Sequence, residues 1–569
     1  MKSALAGVLL CCATAAAKDL CPRVRYSGPD PKLTEVEKRL VCGDPGSDGW
    51  KKISLPQARG FMTAFLQKRG RHYPRFDTDG DTLVVDAGTT TVVRALVGRG
   101  LEGIYDLGKR REVVGRPLTP DLLDQVKKAV VFELSSRGYP CPKIEVTADA
   151  RTGEVRVDAS PGTRRLIGEI ALPPNLNVDP GVLRRYEAFT SGDLLDARML
   201  SMTSDRVRED ALFASSYYDV ACSTGGVSIT QRAVEAPPHL LTIGVGADTD
   251  GLLRARARLR QSRIGKRASF AEASLTASQR EQSLDALLRL YLSPEARLHL
   301  EPVLFLRREN EVQYEAAHSE LSVNPAWTSD VWGRRVEVRG GPAVDLFDTI
   351  RGEGPRGASW FQFVTRARVS SHLYEYYQRD PRRGWTATLE TTHRLKGAYS
   401  DVSAHGLRLS GESLWNIGEY QPPLAVLATR GLADTVSVAD RATGLSRLPP
   451  TDRFFLGGDS DLRGVERKRL PDDAGGFLTA LYQGVDLRAG DILPYGLQPF
   501  AFVDAAMGGQ TSFHLDPDVY WSPGGGLRWA SPVGTIRTTA ARGLVWRRGS
   551  ALEPPRPHWQ FFFSFGREF

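Results

Sequence analysis

The chain has 569 residues, 41% of them hydrophobic and 25% charged, which excludes a disordered polypeptide and leaves room for several domains. Its net charge of +8 is carried mostly by arginine dispersed along the sequence, not by one basic block. A nucleic-acid binder gathers its charge on one face or helix, so no nucleic-acid partner is expected.

The first residues, "MKSALAGVLLCCATAAAKD", place Lys2 before an apolar run and small residues before Lys18. This pattern predicts a secretory signal peptide over residues 1–17, cleaved after Ala17. Leu10 before Cys11 argues against lipid modification at Cys11 or Cys12. Export leaves Cys21, Cys42, Cys141 and Cys222 free to oxidise. Cys21 and Cys42 are close enough in sequence to staple a first small domain, and their spacing is not that of a zinc site. Cys141 and Cys222 are expected to be small apolar fillers. No later stretch approaches 18 consecutive apolar residues, which excludes a helical membrane protein but not a membrane β-barrel.

Residues 19 to 238 mix helix and strand in repeating units, with copies expected over 19–88, 89–163 and 164–238. The middle copy is the clearest. Thr119 is a candidate cap, Pro120 suits the first helical turn, Leu122, Val126, Val130 and Leu134 share a face, and Gly138 suits the stop. Two strands, "KIEVTAD" and "EVRVDAS", follow as a hairpin, and Gly162 leads into a further strand, "RRLIGEIAL". The first copy has a helix capped by Ser54, and the third runs through "GDLLDARMLSMTSDRVREDALFASSYYDVAC".

From residue 239 the helical period vanishes. "RARARLR" alternates strictly, with Arg254, Arg256, Arg258 and Arg260 on one face. "SLDALLRLYL" aligns Leu284, Ala286, Leu288, Leu290 and Leu292. "RLHLEPVLFL" sets Leu298, Leu300, Leu304 and Leu306 opposite Arg297, His299 and Glu301. About sixteen such segments fit between residue 239 and residue 569, the spacing of an outer-membrane barrel with lipid outside and a wet lumen inside. The last, "HWQFFFSFGREF", aligns Phe561, Phe563, Phe565 and Phe569.

Between two of these segments stands "RFFLGGDSDLRGVERKRLP", residues 453–471. It lacks the Lys-Ser/Thr of a phosphate loop and opens no helix. "GEGPRG" at 352–357 has the spacing of a dinucleotide fingerprint but contains Pro355 and lies in no βαβ unit. "DTDGD" at 77–81 lacks the distal glutamate of a calcium loop. The nine histidines form no H-E-x-x-H, and no G-x-S-x-G occurs. The expectation is therefore no enzyme, no catalytic residue, no cofactor and no metal.

The three helix-plus-hairpin units resemble POTRA domains through a helix ending in Gly138-Tyr139 and its near-equivalents, Gly70 to Tyr73 and Tyr217-Tyr218. The 453–471 stretch resembles the loop-six motif of the BamA/TamA superfamily of outer-membrane assembly proteins. Gly457, Gly458, Asp459, Leu462, Arg463 and Gly464 carry the match. "PFAFVDAAMGG", with Phe502 and Asp504, resembles the family's partner motif, and residues 524–541 resemble its penultimate strands. The match departs at Val465, where the family has an aromatic, and at Ala506, where it has glycine. An aromatic C-terminal strand likewise resembles the recognition signal of outer-membrane barrels.

The resemblance implies three POTRA domains ahead of a sixteen-stranded transmembrane barrel over 239–569, most like the TamA members. It also implies a loop folded back into the lumen with Arg463 on Asp504. Physical reasoning concurs, because a desolvated arginine needs a planar carboxylate. The implied function is insertion or translocation of unfolded outer-membrane or autotransporter proteins, from an outer membrane with the N-terminal domains in the periplasm. The implied route is a lateral seam formed by Leu241, Gly244, Gly246, Phe563, Phe565, Gly566 and Phe569. A TamB-like periplasmic protein and the lipid bilayer are the other implied partners. The rival readings are a two-partner secretion pore and, more remotely, a passive porin or receptor.

Overall fold

The computed structural model describes residues 18–27, 30–44, 52–223, 226–397, 399–473, 475–490, 493–531, 534–546 and 559–565. The expected signal peptide, Gly566 and Phe569 lie outside them. The chain divides into two compact units, Met1–Arg164 and Arg165–Phe569.

One topology recurs three times. In the first repeat a hairpin, Arg75–Asp79 with Thr82–Asp86, pairs through its second strand in parallel with Val24–Ser27. In the second repeat, Lys143–Asp149 and Glu154–Ser160 make the hairpin and Ala95–Arg99 the parallel strand. In the third, the strands are Phe213–Ser223, Gly226–Glu235 and the short Ile170–Ala171. A helix packs on each sheet because its apolar face has nowhere else to go. In the second repeat the helix is Pro120–Ser135, with Thr119 accepting from the Leu122 amide. Leu122, Val126, Val130 and Leu134 are buried against Val155 and Val157. In the first repeat Ser54 and Gln57 form a reciprocal capping box ahead of Leu55–Lys68. A disulfide joins Cys21 to Cys42.

Three expectations are corrected here. "RRLIGEIAL" yields only a two-residue strand, Ile170–Ala171. Tyr217 and Tyr218 do not close the third helix. That helix, Ala197–Glu209, is stopped earlier by Ala211, whose φ of 51° turns the chain into the strand that holds both tyrosines. Cys141 and Cys222 are solvent-exposed rather than buried fillers, and neither is a free thiol.

The remainder of the second unit is a closed antiparallel barrel of sixteen strands. Its first strand is His239–Asp248 and its second Leu252–Ile264. The fifteenth is broken at Gly543 into Gly534–Arg542 and Leu544–Trp546, both paired to the fourteenth, Val519–Ser531. The sixteenth is described over Trp559–Phe565. No described helix is long and apolar enough to cross a membrane. The strands do so instead. Leu241, Ile243, Val245, Leu259, Leu346 and Phe561 are exposed on the outside, as lipid contact requires. Inside, His299, Glu301, Asp345, Arg394 and Asp434 are buried among polar partners. The arginines of the second strand point inward, where Arg258 and Arg260 share Glu272 of the third strand.

Candidate functional site: the lumenal loop and the barrel seam

Strand eleven is Ala425–Ser437 and strand twelve Thr479–Ala489. The chain between them folds back into the lumen. Arg453 donates to the Gly475 carbonyl at 2.9 Å and to the Glu353 carbonyl. Phe454 and Leu456 bridge to Phe477 and Leu470, closing the base of the loop. At the tip, Asp461 accepts from the Gly457 amide at 2.7 Å. Gly457 has φ of 119°, and a Cβ there would lie 2.1 Å from the Glu466 carbonyl oxygen, so only glycine fits.

The turn delivers Arg463 to strands twelve and thirteen, the latter being Leu497–Gly509. Its Nε and Nη2 donate to the two oxygens of Asp504 at 2.8 and 2.7 Å. Nη2 and Nη1 reach the two oxygens of Asp486 at 2.6 and 3.3 Å. The guanidinium lies over the Phe502 ring, with Cζ 3.3 Å from its centroid. Asp504 also accepts from the Tyr482 hydroxyl at 3.0 Å and from the Arg463 amide at 3.2 Å. Arg463 and Asp504 are both fully buried. One cation between two carboxylates and an aromatic face uses every property that separates arginine from lysine.

Gly464 is pressed against the wall. Its amide donates to Ser522 of strand fourteen at 2.9 Å. A Cβ on it would lie 2.3 Å from the Gly543 nitrogen, so the loop tip abuts the point where strand fifteen breaks. Gly458 stands beside Asp250, and Leu462 is fully buried. The Asp459 amide donates to Asp250 in the first hairpin turn, and its carboxylate accepts from Arg537 of strand fifteen, both at 2.9 Å. Further on, Arg467 pairs with Glu311 at 2.7 Å and Lys468 with Glu309 at 3.2 Å. The loop is thus pinned to three separate sectors of the wall.

The barrel closes where strand sixteen meets strand one. Strands one and sixteen pair only at Ala247 with Phe565 and Asp248 with Ser564, among the described residues. Thr249 adds one backbone bond to Phe563 at 2.9 Å. Strand one meets strand two in ten consecutive pairs. Gly244 and Gly246 face the lumen opposite Arg256 and Arg254 and line, with Phe565, a cavity of about 180 Å³. Leu241 and Phe563 point outward.

Residues 375–569 match the model of the Omp85 superfamily domain. That segment resembles the Omp85 superfamily domain. The matched segment holds the whole loop, both of its carboxylate partners and the sixteenth strand. In fold the chain is similar to BamA from Haemophilus ducreyi lacking POTRA domains 1–3, at 14% identity over 84% of this chain and 99% of that one, TM-score 0.49. It is similar to CdiB from Acinetobacter baumannii at 12% identity, over 84% and 89%, TM-score 0.46. It is also similar to POTRA1-3 of the periplasmic domain of Omp85 from Anabaena at 12% identity, over 38% and 95%, TM-score 0.18. The Omp85 match over residues 375–569 accords with a place in the outer membrane of a Gram-negative bacterium and with insertion or translocation of protein as the class of function.

Sequence reasoning missed Asp486, Tyr482 and Ser522. The signal was present in "TALYQGVDLRA", where Tyr482, Gly484 and Asp486 share the lumenal parity. The two departures of the loop motif also find their explanation. Val465 and Ala506 sit in one buried cluster with Tyr482 and Tyr520, so aromatics from strands twelve and fourteen fill the space. The aromatic contact to the arginine itself comes from Phe502.

One further site in the second unit escaped the sequence. Arg206, on the helix of the third repeat, donates to Asp330 at 2.8 and 3.0 Å and to Glu375 at 2.7 Å, with the arginine buried and both carboxylates largely shielded. His372 also engages Asp330, at 2.7 Å. The third repeat is therefore bolted to the periplasmic rim of the barrel.

Proposed function

We propose that this protein assembles other proteins into the outer membrane through the seam between strands one and sixteen, with β-barrel and autotransporter polypeptides as its clients. The observation that supports this reading is the lumenal loop held by Arg463 on Asp504 within a segment that matches the Omp85 superfamily domain. Where strands one and sixteen part, the freed edge of strand one is a template for another strand, and a client strand adds there by β-augmentation. The loop pins Arg463, Asp459 and Gly464 to strands twelve through fifteen, which holds that side of the wall. Leu241, Gly244 and Gly246 lie along that edge. A long periplasm-spanning protein of the TamB kind is the partner proposed for the POTRA edges.

The direct test is deletion of the gene followed by comparison of outer-membrane proteins. Loss of a defined subset of barrel or autotransporter proteins is expected. An unchanged profile with altered solute permeability would identify a porin instead.

A further inference from the structure

His393 and His405 are set apart from this machinery. They stand directly opposite each other on strand nine, Gly384–Arg394, and strand ten, Ala404–Ile417. Their Nδ1 atoms are 3.1 Å apart and their ring centroids 5.3 Å. Both rings are exposed, on the parity that carries Leu389, Leu407 and Leu409 on the barrel's outer face. The neighbouring Arg394 points the other way, into the lumen, where Gln362, Asp345 and Asp452 hold it. The pair is therefore not part of the lumenal ion network.

Its height is also informative. From Trp415 to His405 strand ten advances about 33 Å. A tilt near 40° turns that into about 25 Å of height, the thickness of a barrel's apolar band. With Trp415 at the periplasmic belt, the histidines stand at the outer-leaflet interface, where water and dissolved ions reach them. Among the described residues each Nδ1 has the facing ring as its polar partner. Nitrogens that share one tetrahedral ion at about 2.0–2.1 Å lie about 3.3 Å apart. The observed spacing is within a few tenths of an ångström of that, on a rigid cross-strand frame.

We propose that His393 and His405 form a surface site for a first-row transition-metal dication of the imidazole-preferring kind, Zn²⁺ or Cu²⁺. Both Nδ1 atoms ligate, and the remaining positions are filled by water. The ring that donates its Nδ1 proton in the empty pair shifts to its Nε2–H tautomer, so no net proton is released. The bound ion cross-links strands nine and ten just below the loop at 395–403.

The test uses the full chain folded in detergent micelles at about pH 7.5, above the ordinary imidazole pKa of ~6.5. Cu²⁺ is titrated and its electron paramagnetic resonance spectrum read for nitrogen hyperfine structure. One ion with two imidazole nitrogens is expected, displaced by excess Zn²⁺. His393→Ala and His405→Ala should each abolish that spectrum, while retained heat-modifiable gel mobility shows that the barrel still folds. A two-nitrogen spectrum that survives either substitution, or a wild-type spectrum without imidazole nitrogen, would overturn the proposal.

Discussion

Arg463 and Asp504 meet through two hydrogen bonds of 2.8 and 2.7 Å with neither side chain exposed to solvent. Removing one partner of such a pair leaves the other charge buried and typically costs about 3–5 kcal/mol. Arg463→Ala and Asp504→Ala should therefore each lower the barrel's thermal unfolding temperature and weaken its heat-modifiable mobility. Arg463→Lys should recover little, because an ammonium cannot reproduce the planar paired hydrogen bonds to Asp504 and Asp486 or the stacking on Phe502. A swap, Arg463→Asp with Asp504→Arg, should fail to rescue. Asp486 lies 2.6 Å from the present guanidinium and would then face a second carboxylate.

Gly464→Ala tests the contact between the loop tip and the break in strand fifteen. The added methyl would meet the Arg542 carbonyl carbon at 2.5 Å as well as the Gly543 nitrogen. Backbone cannot move aside as a side-chain end does. A loss of about 1–3 kcal/mol is expected from overpacking, read as a lower unfolding temperature. Gly496→Ala, where nothing lies within 4 Å, serves as the comparison, although its φ of 70° adds backbone strain of its own.

How much of this was legible beforehand follows from which physics is local. Strand alternation and helix caps are written within a few residues, so Ser54, Thr119 and the sixteen strands could be read directly. The loop's arginine was legible because glycines and charge cluster around it. Asp486 was not, because one carboxylate on an alternating strand looks like ordinary lumen lining. Arg206 was harder still. Its partners Asp330 and Glu375 are more than a hundred positions away, and nothing on a helix face distinguishes an arginine that docks from one that is solvated. The end of the third helix was misread because Ala211 takes a positive φ that favours glycine, and no residue type announces that.

Arg206→Ala should loosen the third repeat from the barrel rim, since Asp330 and Glu375 would lose their shared cation. Limited proteolysis between residues 235 and 239 should accelerate, while the barrel keeps its folded gel mobility. Unchanged cleavage would mean that the other anchors, Arg260 on Asp210 at 2.9 Å and Arg263 on Glu235, suffice alone.

In the first repeat, Arg69 hydrogen-bonded to Glu37, with help from the Thr34 amide, lowers the Glu37 pKa to about 2 against burial. The unfolded value is near 4.3. A carboxylate depressed on folding stabilises the fold above the unfolded pKa and loses that contribution as pH falls toward the folded one. The first repeat should thus weaken between about pH 4.3 and 2. Glu37→Gln should flatten that part of the unfolding profile, followed by circular dichroism on the full chain.

The seam is the central claim, and one cross-link tests it most directly. Ala247 and Phe565 are directly paired across strands one and sixteen. Ala247→Cys with Phe565→Cys should form a disulfide that leaves the barrel folded but halts insertion of client barrel proteins, with recovery on reduction. The same chemistry between Leu241→Cys and Leu259→Cys, paired across strands one and two, should leave insertion intact. Undiminished insertion by the oxidised Ala247–Phe565 cross-link would contradict the account.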